Sequence, residues 1–184
     1  GKANGGILGN NTTIDLSSPV QVGASTDWYS ISLRGENCFG AIKTDGSLWT
    51  WGVASYGGLG SNNTTNQSSP VQLGSLTNWA SVSSANHFML ATKADGTLWA
   101  WGSNSNGQLS QNDRVYRSSP VQIGALTNWA SVSAGTQTAG AVKTDGTLWG
   151  WGSNSDGNLG DGTKYNYRSS PVQVGALTTW SQVS

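Results

Sequence analysis

The chain offers one imidazole, His87, and one thiol, Cys38. A serine or threonine nucleophile needs a base within hydrogen-bond reach, so any Ser-His-Asp site would have to use His87, and nothing in the sequence orients it. One histidine and one cysteine fall short of a His/Cys zinc site, and a lone cysteine excludes an intrachain disulfide. Among the nine carboxylates, Asp45, Asp95 and Asp145 each precede a glycine and read as turn residues. The others, Asp15, Asp27, Glu36, Asp113, Asp156 and Asp161, fall in different loops and form no acid–base pair. Asp156-Gly157-Asn158 and Asp161-Gly162 raise the question of calcium, but their spacing misses the EF-hand loop and a turn explains them. No nucleophile elbow, phosphate loop, dinucleotide fingerprint or H-E-x-x-H helix is present. The expectation is a non-enzymatic protein without metal or cofactor.

Charge narrows the partners. Lys plus Arg number 9 and Asp plus Glu number 9, for a net charge of zero. Nucleic-acid binding driven by counter-ion release needs a basic excess, and no apolar run approaches a membrane span. A protein partner is therefore expected, without nucleic acid or membrane insertion. The residue types that dominate binding hot spots, Tyr and Arg, concentrate in two segments. N-D-R-V-Y-R at 112–117 supplies Arg114, Tyr116 and Arg117; D-G-T-K-Y-N-Y-R at 161–168 supplies Lys164, Tyr165, Tyr167 and Arg168. Four of the nine cationic side chains lie there, which favours an acidic partner surface. A solvated loop free to vary is the alternative reading of the same segments.

What must position these residues is a repeat. Asp-Gly pairs recur at 45–46, 95–96 and 145–146; Ser-Pro-Val-Gln recurs at Pro19, Pro70, Pro120 and Pro171; Trp28, Trp79, Trp129 and Trp180 keep the same register. Self-similarity near fifty residues marks a repeat architecture. In the third repeat we expect strands over about 129–134, 138–144, 147–152 and 171–174, with Asp145-Gly146 as a two-residue hairpin turn. Proline at the first position of the fourth strand fits an outer edge. Alternation puts Leu148 on one face and Trp149 and Trp151 on the other, so both faces need cover. With a single Glu in the chain, helices are not expected. Small, Ser- and Ala-rich first strands suit a crowded axis, and the pattern describes an all-β protein of β-propeller blades, each of four antiparallel strands. We expect the Trp pairs 49/51, 99/101 and 149/151 to be buried between blades.

The run D-G-T-L-W-A-W-G-S-N-S-N-G-Q-L at 95–109, with the later S-S-P-V-Q, resembles the repeat of the regulator-of-chromosome-condensation family, in its short, Trp-rich bacterial and phage-type form. The resemblance covers the whole chain and implies a propeller, usually of seven blades. The family's frequent His before the second strand is here only His87, with Asn37 and Gln137 at the other two places, and a hydrogen-bonding blade residue is expected there. Animal members imply nucleotide exchange on a small GTPase through a projecting loop, or chromatin binding aided by a basic tail; this chain has neither insertion nor tail. Bacterial members imply inhibitors that cap an enzyme with propeller loops.

The expected organisation is one repeat array over 1–184. It comprises a lone outer strand at 19–22, blades at about 28–75, 79–125 and 129–176, and a lone inner strand at 180–184. Such an open arc is a partial propeller, three complete blades plus a split fourth. It is expected to be part of a longer chain or to self-associate through its open ends. The functional expectation is a binding or structural module that presents loops to a protein partner, in an exposed setting such as a cell surface or virion. The alternatives are a lectin-like glycan binder and an enzyme inhibitor or GTPase-exchange-type regulator.

Overall fold

Each Asp-Gly pair closes a hairpin through the same three-residue device. The Asp45 carboxylate accepts the Ser47 backbone N–H at 2.8 Å and its hydroxyl at 2.6 Å. Asp95 with Thr97 and Asp145 with Thr147 repeat this. The hydroxyl bond, reinforced by the backbone one, holds all three carboxyls below the usual carboxylate range. Each turn also carries the next repeat, because the carbonyls of Gly46, Gly96 and Gly146 accept the backbone N–H of Trp79, Trp129 and Trp180 at 3.1 Å.

In the computed structural model, which describes residues 1–184, these hairpins form three four-stranded antiparallel sheets. The first comprises β1 (Trp28–Ser32), β2 (Cys38–Lys43), β3 (Leu48–Gly52) and β4 (Gln67–Gln72). The second comprises β5 (Trp79–Ser84), β6 (Phe88–Lys93), β7 (Leu98–Gly102) and β8 (Arg117–Gln122). The third comprises β9 (Trp129–Ala134), β10 (Thr138–Lys143), β11 (Leu148–Asn154) and β12 (Asn166–Gln173). Strands pair in chain order, and contacts between sheets run through β1, β2, β5, β6 and β9, the inner strands and their neighbours. The three sheets form an open arc of propeller blades.

The core lies between sheets. Cys38, Ile42, Leu48, Leu59, Met89 and Trp101 fill the first gap; Phe88, Leu90, Leu98, Leu109, Ile123 and Trp151 fill the second. Burial pushes the Cys38 thiol up to about 12, so it is an inert core group. Hydrogen bonds lock each gap. The Trp101 indole donates to the Gly58 carbonyl at 3.1 Å and the Trp151 indole to Gln108 at 2.9 Å. On the inner strands, Ser32 Oγ accepts from the Ser84 backbone N–H and Ser83 Oγ from Ala134, both at 2.9 Å. Small hydroxyl residues occupy the axis because they must approach the adjacent strand closely enough to bond it.

Three expectations are corrected. Pro70 and Pro120 are not first residues of their strands but fourth, and Pro171 lies inside β12. Each sits opposite a register shift, between Thr50 and Gly52 in the first sheet and its counterparts in the other two. A bulge on an edge strand leaves no ladder bond for proline to break. Residues 19–22 and 180–184 are not strands, since neither has a neighbour to pair with; Trp180 and Val183 are held by single bonds to Gly146 and Ser131. The Trp pairs divide: Trp51, Trp101 and Trp151 are fully buried, while Trp49, Trp99 and Trp149 are half-buried. The half-buried indoles each donate to the hydroxyl two residues before them and each carries a lysine ammonium over its ring.

Candidate protein-binding face

The loops joining first to second strands and third to fourth strands gather on one face, tied by backbone bonds from Val53 to Asn37, Ser103 to His87 and Ser153 to Gln137. The long third-to-fourth loops are anchored rather than loose. Asn62 and Asn112 adopt φ of +58°, a region Asn tolerates, and their N–H groups reach the outer strand of the following sheet at Ser118 and Ser169, 2.7 and 2.8 Å away.

Two of the seven sequence-predicted residues belong to this anchoring. The Arg117 guanidinium pairs with Asp113 at 2.6 Å, while the Asn104 amide donates to the same carboxylate at 3.0 Å. Arg168 grips Asp161 through Nε at 2.8 Å and Nη2 at 2.7 Å. The Thr163 hydroxyl and then Arg168 hold the Asp161 carboxyl far below the usual range; the Val115 N–H leads the lowering at Asp113. Arg117 and Arg168 are thus loop clamps, and their carboxylates cancel half of the cationic charge counted in the sequence. Arg114 and Lys164 remain without ion pairs.

The structure brings Arg114 over the Tyr167 ring at 4.4 Å and Lys164 over Tyr165 at 4.9 Å. The expected adjacency of the two loops is therefore present at Arg114 and Tyr167. Tyr116 turns the other way and meets Tyr56 of the first sheet's loop edge-on at 5.0 Å. Tyr56 in turn stands edge-on to His87 at 5.2 Å. His87, expected to hydrogen bond, has a buried Nδ1 with no partner and packs by its ring; desolvation holds its pKa below the usual histidine value. The result is an aromatic ridge in two parts: exposed Tyr56 and Tyr116 backed by half-buried His87, across the first and second sheets, and Arg114 over Tyr167, across the second and third.

Sequence reasoning missed Tyr56 and His87 as members of this ridge. A signal existed at Tyr56. It fills a place where the other repeats carry the turn formers Asn106 and Asp156, and its φ of +58° is unusual for a bulky residue.

Residues 45–92, 95–142 and 145–184 match the family model described as Regulator of chromosome condensation (RCC1) repeat, and 79–108 and 129–158 match a second model of that description. Among solved structures, human WBSCR16 is similar over 79% of this chain and 37% of its own, with 21% identity and a TM-score of 0.70. Prp20p from Saccharomyces cerevisiae, described with its binding properties to Gsp1p and histones, is similar over 86% and 40%, with 21% identity and a TM-score of 0.75. Yeast RCC1 (Prp20) bound to Kap60 gives 86% and 39%, again with 21% identity and a TM-score of 0.75. At this identity the likeness is one of fold, and the chain spans about two fifths of the length of these structures. No curated protein sequence matches the chain.

Proposed function

The chain belongs to the regulator of chromosome condensation (RCC1) repeat family, and on that premise we propose that it is a non-enzymatic module whose loop face binds a protein partner. The observation that carries this reading is the aromatic ridge. Tyr56, Tyr116, Tyr165 and Tyr167 are all exposed although none serves the repeating core. Large rigid rings beside an unpaired arginine are the usual anchors of protein interfaces. The similar yeast fold binds protein partners, Gsp1p and histones in one case and Kap60 in the other. Two cations without ion pairs, Arg114 and Lys164, favour a partner surface carrying acidic groups beside apolar ones. A chain with 10% charged residues and about a third Ser, Thr and Asn suits an exposed setting such as a cell surface or virion.

The test is capture by cross-linking from the native source, followed by affinity measurement on the partner so identified. Replacing Tyr116, Tyr165 and Tyr167 with Ser is expected to leave the melting temperature unchanged and to weaken that affinity at least about tenfold. Unchanged affinity would exclude this face.

A further inference from the structure

One charged position that recurs in every repeat is a lysine at the end of the second strand of each sheet, Lys43, Lys93 and Lys143. Its ammonium stands over two indoles in every case: 5.1 and 4.6 Å from Trp28 and Trp49, 4.9 and 3.7 Å from Trp79 and Trp99, 4.9 and 3.7 Å from Trp129 and Trp149. In the first sheet the chain also shows what else this ammonium takes. Lys43 pairs with the Asp27 carboxylate at 3.2 Å and donates to the Ser25 hydroxyl at 2.8 Å.

In the second sheet those two partners are gone. Asn78 stands in place of Asp27 and Leu76 in place of Ser25. Lys93 is only 8% exposed, yet no carboxylate or hydroxyl of the protein pairs with it. Its stem is enclosed while its ammonium reaches the surface, where it meets two indole rings and no protein anion. Desolvation pulls its pKa below the usual lysine value, and Asp95 opposes this only at longer range. Beside it opens a groove of about 380 Å³ between the first and second sheets, walled by Leu73, Leu76, Trp99 and Pro120, with Ser61 at its edge. Apolar walls around one fixed polar group are the pattern of a small-molecule site.

We propose that this groove binds a small organic carboxylate, a carboxyl group on a body about one ring in size, with the carboxylate on Lys93 in the place Asp27 takes on Lys43. The counterpart beside the third sheet is lined differently. Lys143 has the same unpaired setting, with Asn128 and Leu126 at the two partner places. There, however, Gln111 replaces Ser61, and its amide donates to the Leu109 carbonyl at 3.2 Å and the Gln122 carbonyl at 3.1 Å. That longer side chain ties its loop to the end of the outer strand β8, where Ser61 reaches only Asn63. No groove residue belongs to the aromatic ridge, so this site is independent of the protein-binding face.

The experiment follows the Trp99 indole N–H by NMR while the 184-residue chain is titrated with glucuronate, phenylacetate, acetate and glucose. A saturable shift with glucuronate or phenylacetate is expected, and whichever ring binds identifies the body as sugar or aromatic. Acetate and glucose are expected to bind at least about tenfold more weakly. Ser61→Gln, which copies Gln111 at the same place in the second sheet's loop and so keeps the fold, is expected to abolish the saturable shift, as is Lys93→Gln. The proposal fails if neither ring-bearing acid saturates, if acetate or glucose binds as tightly as they do, or if Ser61→Gln binds as the parent does.

Discussion

Trp99 and Trp101 lie two residues apart on one strand face, and burial separates their roles. Trp101 is fully buried under the preceding sheet's loop and bonds the Gly58 carbonyl; Trp99 stands at the rim, half-buried, bonded only to Thr97 nearby. Trp101→Ala is expected to cost about 3–5 kcal/mol, from the cavity and the carbonyl left without a donor. Trp99→Ala is expected to cost about 1–2 kcal/mol, from the lost edge-on packing with Trp79 and the lost contact with Lys93. Urea denaturation of the two variants measures both, and equal losses would contradict this division. The sequence showed that both rings belong to the blade face, because alternation reports a side chain's face. It could not show depth, because depth depends on which loop of the neighbouring sheet lies above. The same limit applied at the ridge. Tyr116 and Tyr167 were legible as divergent aromatics, but the clamping of Arg117 by Asp113 and of Arg168 by Asp161 depended on the path the loops take.

At the level of elements, local chemistry was the most legible part. The inner strand expected at 129–134 is the observed β9, and all three Asp-Gly turns are hairpins. The proline position was not legible, because the bulge opposite Trp51, Trp101 and Trp151 arises from sheet pairing and leaves no local pattern. The turns also do more than reverse the chain. Gly96 has φ of +77°, and a Cβ there would lie 2.0 Å from the Thr127 carbonyl oxygen, in the link that leads to the third sheet. Gly124 has φ of +59° with nothing within 4 Å. Gly124→Ala is therefore expected to cost about 1–2 kcal/mol, the backbone penalty alone. Gly96→Ala is expected to cost more than about 3 kcal/mol, because the link must also move. Thermal melts of the two variants separate the terms; similar losses would mean that the turn does not brace the next blade.

On the scale of the whole molecule, the two end faces of the arc are unlike. Inside the array, Val82 and Met89 of the second sheet press against Gly40 of the first, 3.0 and 3.4 Å from where its Cβ would be. The first sheet carries Ile31 and Phe39 at the places of Val82 and Met89, on a face with a cavity of about 430 Å³ that Val20, Val22 and Trp51 also line. Ile31 is 57% exposed. The third sheet carries Gly140 at the place of Gly40, covered by Val183 of a segment that forms no strand. One end thus offers projecting side chains; at the other the matching recess already holds Val183, the counterpart of Val82, so a second copy enters it only by displacing residues 180–184. Contacts of that kind are heterologous and join copies head to tail. The polypeptide of residues 1–184 is accordingly expected to sediment as a concentration-dependent mixture of monomer and short oligomers. Ile31→Asn should shift it to monomer without lowering its urea midpoint, because an exposed side chain contributes little to folding but much to burial against a second copy. A parent chain that stays monomeric at every concentration, or an Ile31→Asn variant that associates as the parent does, would show that these faces do not meet.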